Sequence, residues 1–302
     1  MEESHLTKAD AGRVGSPHAV HRSPGRGFDF GRPREWWGNR FVYAVISARA
    51  GGLALGVNMN PDRLCNFDCP YCEVDRRTPP SENKLLVGVM AAELRRMLLV
   101  IKQGNLRSCP AYHSLPAQLL ELRHVALSGD GEPTLAPNFV EAVQAVVRVR
   151  AVGGFFKIVL LTNGTGLNRT EVLRGLEFIT ASDEIWIKLD GGDQARLNLV
   201  NRPLVSREEI LENILVVGRR RPIVIQSMFP AIDRAEPPSQ DIQGYAECLK
   251  KLVAGGAQIS LVQIYSAARP AVRSDWGHLP LRVLSQIAQI VRQVTGLRTE
   301  VF

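Results

Sequence analysis

The sequence predicts an α/β fold, a parallel sheet whose strands are joined by crossover helices, and three observations predict it. From about residue 41 onward, short apolar runs alternate with amphipathic stretches, the pattern of repeated βα units. Helix start and stop signals fall between those runs and not inside them. The 302 residues are 45% hydrophobic and 22% charged, which suits a soluble globular chain with a sizeable core and argues against a disordered or collagenous one.

Residues 1 to about 40 hold no sustained periodicity and are rich in Gly, Pro, Ser, His and charge, so they read as a flexible lead-in that becomes ordered near Trp36 and Trp37. Strands are then expected at Leu53–Met59, Arg123–Leu127, Lys157–Thr162, Glu184–Leu189, Ile223–Met228, Gln258–Tyr265 and Leu297–Phe302. Between them, Asn138 with Glu141 forms a capping signal, after which Phe139, Val143, Val146 and Val147 share one helical face. Ser206 with Glu209 repeats that signal before Ile210, Ile214 and Leu215. Gly255-Gly256 and Gly296 stand where helices should stop. At about 150 residues per domain the length would allow two domains. The single βα series favours one, over residues 41–302.

Thirty-seven Lys and Arg against 30 Asp and Glu leave a formal charge of +7, which favours an anionic partner such as a nucleotide, nucleic acid or acidic metabolite. The five cysteines are odd in number, and three lie within eight residues. That reads poorly as a secreted disulfide framework and better as a metal site in a reducing compartment. No run approaches the ~18 consecutive apolar residues of a membrane span. The start MEESHLTKAD lacks an apolar signal region, so the cytoplasm is expected.

In parallel α/β folds ligands sit at the carboxyl ends of strands. The segments there are MNPDRLCNFDCPYC, SGDGEPTL, TNGTG, DGGDQ, QSMFP and SAARP. In the first, Cys65, Cys69 and Cys72 have C-x3-C-x2-C spacing and can wrap around one soft metal centre. No fourth cysteine follows nearby; the remaining two are Cys109 and Cys248, and the latter reads as a buried helix residue. A cluster held by three cysteines leaves one iron open to a small molecule, as an incompletely ligated zinc does. On spacing alone, a structural zinc site or a disulfide with a spare thiol are alternatives.

With Tyr71 as the aromatic, C-x3-C-x-Y-C resembles the signature of the radical S-adenosylmethionine (SAM) superfamily. Asp130-Gly131-Glu132-Pro133 resembles that family's GGEP motif, with Asp130 where Gly is usual. Thr162-Asn163-Gly164 is similar to the TNG of one branch, and LDGGDQARLNLVNRP also looks like that branch, which includes molybdenum-cofactor biosynthesis protein A and wyosine-type tRNA synthases. The resemblance covers about residues 40–302 and implies a partial parallel (β/α)6 barrel. It implies that Cys65, Cys69 and Cys72 hold one 4Fe-4S cluster, that SAM chelates its open iron, and that reductive cleavage gives a 5′-deoxyadenosyl radical for hydrogen abstraction.

By the same resemblance, residues Asp130 to Pro133 contact the methionyl amino group, where backbone carbonyls and Glu132 can receive the ammonium. Thr162 and Asn163 face the SAM pocket. Lys188 and Asp190, placed on one face by strand alternation, supply ribose and carboxylate contacts. Gln226, Ser227 and Tyr265 stand where the superfamily holds ribose and adenine. Both named relatives carry a second cluster on additional cysteines, for which this chain has only Cys109 and Cys248, so no auxiliary cluster is assigned. A reducing electron donor such as a flavodoxin or ferredoxin is the implied partner, with an anionic small molecule or nucleic acid as substrate. The competing classes are a non-catalytic iron–sulfur electron-transfer protein and a structural zinc protein.

Overall fold

A computed structural model describes residues 34–77, 79–80, 82–266 and 276–302. In chain order the elements are β1 (Val42–Ser47), β2 (Gly52–Asn58), α1 (Val87–Lys102), β3 (Leu122–Ser128), α2 (Phe139–Gly153), β4 (Lys157–Thr162), α3 (Thr170–Leu176), β5 (Glu184–Lys188), α4 (Gln194–Val200), α5 (Arg207–Gly218), β6 (Ile223–Met228), β7 (Ala231–Ile232), α6 (Ser239–Ala254), β8 (Ile259–Tyr265), β9 (Trp276–Gly277), α7 (Leu281–Thr295) and β10 (Thr299–Val301). One eight-stranded sheet runs β1-β2-β3-β4-β5-β6-β8-β10, while β7 and β9 pair separately. Every neighbour in the large sheet is parallel except β1, which is antiparallel to β2. The sheet curls into a half-barrel with helices over its convex face.

Strand β1 and the short pair β7 and β9 are not among the strands expected from the sequence. The VYAVIS run of β1 is β-branched and alternating, and it turns into β2 through Ala48–Gly51, where Gly51 takes a φ of 66°. Residues 34–40, grouped in sequence with the lead-in, lie against β1, since Glu35 and Ala44 exchange backbone hydrogen bonds of 2.9 and 2.8 Å. The rest of the lead-in, residues 1–33, and most of the SAARP segment lie outside the described residues.

The main core fills the space between the convex sheet face and the helices. Helix α7 shows why: Val283, Leu284, Ile287, Ala288 and Val291 recur on one stripe and are all buried. Each Val, Leu and Ile of that stripe contributes roughly 1.5–3 kcal/mol by leaving water. Ser206 caps α5 as its sequence suggests, accepting from Glu209 N at 3.1 Å. Asn138 makes no capping bond; its amide instead donates to Leu85 O at 2.8 Å and ties α2 to the approach of α1. Gly296 ends α7 in the left-handed conformation. On the concave side only a small apolar patch forms, Val159, Trp186 and Val224 with Leu161 and Leu261 around it. That face is otherwise polar.

Candidate active site

The cysteine segment leaves β2 at the carboxyl edge and is keyed to its neighbours by backbone fit. Gly131 lies so close to Leu64 that a Cβ there would come within 2.0 Å of Leu64 O, and Glu132 N donates to that same carbonyl at 2.9 Å. Asn58 brackets Asp130, its Oδ1 accepting from Asp130 N at 3.0 Å and its Nδ2 donating to Asp130 Oδ2 at 2.9 Å. Arg34 completes the clamp with a 2.5 Å ion pair to Asp130. Asp130, the departure from the glycine-rich motif, is thereby a fixed anchor.

Glu132 is engaged from several sides. Its carboxylate accepts from Thr134 N at 3.0 Å, Thr134 Oγ1 at 2.6 Å, Thr162 Oγ1 at 2.5 Å and Asn163 N at 2.7 Å, and the residue is only 2% exposed. Burial pushes its carboxyl above the usual range, and the four donors pull it back. Three of these bonds fall on Oε1 and one on Oε2, so the carboxylate fastens the SGDGEPTL segment to the TNGTG segment while Oε2 keeps one acceptor site. Pro133 opens a short 3-10 turn, Pro133–Leu135, and is buried. Thr162 is thus a partner of Glu132.

Two asparagines then approach the cysteine sulfurs. Asn163 Nδ2 donates to Asn66 Oδ1 at 2.9 Å and lies 4.0 Å from Cys65 Sγ. Asn201, fully buried at the end of α4, directs Nδ2 toward Cys69 Sγ at 3.5 Å, Tyr71 OH at 2.9 Å and Asp190 Oδ2 at 2.7 Å. It reaches that position because residues 201–204 run beside the cysteine segment: Asp68 N donates to Asn201 O, Phe67 bridges Pro203, and Leu204 N donates to Asn66 O. Arg76 interacts with both Cys65 and Cys72. Burial pushes the thiols of Cys65 and Cys69 up, the latter to about 11, so holding them as thiolates requires positive charge or metal.

Asp190 organises the opposite wall. It accepts from the Tyr71 hydroxyl, Asn201 Nδ2 and Met228 N and lies 3.1 Å from Lys188 Nζ. Burial disfavours the Lys188 charge, but Asp190 and Tyr265 outweigh it and hold the group as an ammonium. Burial, then Asp190, raises the Tyr71 phenol well above its ordinary value, so it stays protonated and donates. Lys188 Nζ also reaches Tyr265 OH at 3.3 Å. In register with Lys188, Gln226 donates to Gln263 at 2.7 Å across the concave face.

Ser227 departs from the sequence expectation. Strand alternation turns it to the helix side, where its hydroxyl donates to Leu189 O at 2.6 Å and meets Tyr245 OH, with no exposed surface. It is not brought to the face that carries Gln226 and Lys188.

No three His, Cys, Asp or Glu side chains among the described residues close on a position for a single ion. Cysteines around a four-iron cube bind different corners, so three thiols on one wrapped segment suit a cluster better than one zinc ion. The N–H donors aimed at sulfur fit such a group, since hydrogen bonds to cluster sulfurs are a protein's means of stabilising their charge. Cys248 is buried in α6 and Cys109 is partly buried after a 3-10 turn. The sequence reading did not assign Asn58, Asn66, Arg76 or Asn201. Only Asn201 had a signal there, its place in the Asn201-Arg202-Pro203 string.

The family model described as the radical SAM superfamily matches residues 59–229. A UPF0026 protein of Synechocystis sp. is 29% identical over 176 residues, 58% of this chain and 56% of its own length, so the match spans little more than half of that relative. Among solved structures, TYW1 with a lysine–pyruvate adduct bound superposes with a TM-score of 0.53 at 15% identity, covering 84% of each chain. SuiB of Streptococcus suis bound to S-adenosylmethionine also gives 0.53, at 12% identity, over 84% of this chain and 49% of SuiB.

Proposed function

The chain belongs to the radical SAM superfamily, and from that premise we propose that Cys65, Cys69 and Cys72 hold one 4Fe-4S cluster whose remaining iron is left for SAM. The observation that carries this reading is the placement of Asn201 and Asn163 amides toward Cys69 and Cys65, with Arg76 beside Cys65 and Cys72. Bound there, the cluster and SAM supply a one-electron reductive cleavage that yields a 5′-deoxyadenosyl radical for hydrogen abstraction.

The protein's part is positioning. Backbone groups from Asp130 to Pro133, tied down by Asn58 and Arg34, face the methionyl amino group, while the Glu132 carboxylate holds the segments together beneath them. Lys188 is a fixed cation for the methionyl carboxylate, oriented by Asp190. Gln226 and Tyr265 offer polar edges for ribose and adenine. A one-electron donor of flavodoxin or ferredoxin type belongs to the proposal, as does a reducing, cytoplasmic setting that keeps the cysteines out of disulfides. No helix among the described residues is long and apolar enough to cross a membrane.

The test is anaerobic reconstitution with iron and sulfide, followed by dithionite and SAM. A brown protein that releases 5′-deoxyadenosine is expected. A colourless protein that retains zinc, or a cluster-loaded one that neither binds nor cleaves SAM, overturns the reading in favour of a structural or an electron-transfer role.

A further inference from the structure

Among the described residues the concave face carries four cations, and three of them are matched. Arg34 pairs with Asp130 at 2.5 Å, Lys157 with Glu184 at 2.5 Å and Lys188 with Asp190 at 3.1 Å. The fourth is Arg49, in the turn between β1 and β2. It has no carboxylate and no hydrogen-bond acceptor among the described residues; its one close partner is the ring of Tyr265, 4.3 Å from the guanidinium carbon. An unmatched, half-buried guanidinium stacked on an aromatic face keeps its N–H edges free and its plane fixed. Such an edge recognises a carboxylate or phosphate through paired, charge-assisted hydrogen bonds.

Short contacts connect Arg49 to the cysteine segment. Tyr265 OH is 3.3 Å from Lys188 Nζ, and Lys188 Nζ is 4.9 Å from the ring of Tyr71, which lies between two of the cysteines. Arg49 lies on the turn that enters β2 and Tyr265 ends β8, so their contact joins the two flanks of the half-barrel. His124 and a glutamine pair lie on the same face. His124 stands edge-on to Trp186 at 5.3 Å, and burial, helped by Lys157 and Arg49, lowers its pKa to about 4 and leaves it uncharged near neutrality. Gln226 and Gln263 are bonded to each other.

The geometry points to Arg49, seated on Tyr265, as the anchor for the oxyanion of a small substrate, a carboxylate or a phosphate monoester, placed beneath the SAM position. This assignment rests on the radical SAM reading of the same site and gives that reading a substrate class. Lys188 is neutralised by Asp190 and belongs to the cofactor side, so the substrate's charge falls to Arg49. Tyr265 is shared, its hydroxyl facing Lys188 and its ring facing Arg49.

The test is anion binding to the anaerobically reconstituted protein, saturated with SAM and held at constant ionic strength. Inorganic phosphate and, separately, acetate and pyruvate are titrated by calorimetry against the wild type, Arg49→Ala, Arg49→Lys and the exposed control Arg298→Gln. Saturable binding that weakens roughly tenfold or more in Arg49→Ala, that Arg49→Lys restores only in part, and that Arg298→Gln leaves intact supports the assignment. Phosphate and carboxylate arms that differ in affinity identify which oxyanion the site takes. Binding that is absent in the wild type, or equal in the wild type and Arg49→Ala, overturns it. Circular dichroism of each variant separates loss of the anchor from loss of the fold, with Arg49→Lys carrying the comparison if Arg49→Ala does not fold. SAM binding by the wild-type protein, measured without added anion, tests the superfamily reading by itself, so the two can fail independently.

Discussion

Asp183 and Asp190 stand at the two ends of β5, both with side chains out of contact with solvent, yet they do different work. Asp183 accepts from Ile158 N, Thr180 N and Thr180 Oγ1 and pairs with Arg150 at 2.7 Å, while Arg221 caps the carbonyls of Ile179, Thr180 and Asp183 around it. Those partners all belong to the joints between helices and strand entries, so this is a staple. Asp190 gathers Tyr71, Asn201, Lys188 and Met228, partners drawn from the cysteine segment, the end of α4 and two strand ends. The same chemical group therefore fixes the scaffold at the amino end and organises chemistry at the carboxyl end, and the identity of its partners decides which.

The largest expected effect lies at the carboxyl end. Cys69→Ala should abolish cluster binding after anaerobic reconstitution, and Cys109→Ala should leave iron content unchanged, both read by iron and sulfide analysis. Iron loss in Cys109→Ala would show that the ligand set is wrong and that the site is not confined to one end of the barrel.

Replacing the two aspartates tests the comparison directly. Asp183→Ala strips a buried partner from Arg150 and leaves donors unmet, so it should cost about 3–5 kcal/mol in denaturant unfolding. Iron per folded chain should be unchanged. Asp190→Asn puts a donor where Asn201, Tyr71 and Met228 all donate and leaves Lys188 uncompensated, so it should lower both stability and iron retention. Equal iron loss in the two variants would break the distinction.

How much of this was readable in the sequence follows the same division. Strands β4 and β6 were legible to the residue, because buried parallel strands are continuous apolar runs with sharp polar ends. The cysteines were legible because their spacing is itself the chemistry. Strand β1 was not, since an antiparallel edge strand at the start of the series has no βα rhythm to announce it. Ser227 was placed in the right segment and given the wrong partner, and the partners of Glu132 within the fold were not foreseen. Which lone pairs are already occupied, and which side of a strand end faces the cavity, depends on contacts with Thr162, Asn163 and Tyr245 that are distant in sequence. Arg49 was invisible for a related reason: only the fold shows that the other cations of its face are matched.

A smaller effect comes from His124, on the concave face beside Trp186. Burial holds its pKa at about 4 against an ordinary value near 6.5, so the unfolded chain binds the proton first. The stability tied to neutral His124 is complete above about pH 6.5 and is lost as the pH falls toward 4, for a total of about 3 kcal/mol. His124→Gln should flatten that part of the stability profile measured by urea unfolding at successive pH values. An unchanged profile would mean that the imidazole is solvated.

The smallest effect returns to β5, whose first and last residues each carry an ion pair. Glu184 with Lys157 is about one-third exposed on both sides, at 33% and 38%, whereas the Asp190 partner of Lys188 has no exposed surface. Water and salt screen the first pair, so a double-mutant cycle over Lys157→Ala and Glu184→Ala should give a coupling of about 0.2–1 kcal/mol. That coupling should shrink between low salt and 1 M salt, where the screening length falls to about 3 Å. Glu184 also accepts from Trp186 Nε1 at 2.7 Å, so its single substitution should cost more than that of Lys157 while the coupling stays small. A coupling that is large and independent of salt would mean that the concave face excludes water at the amino end as well, and the contrast between the two ends of β5 would then lie in their partners alone.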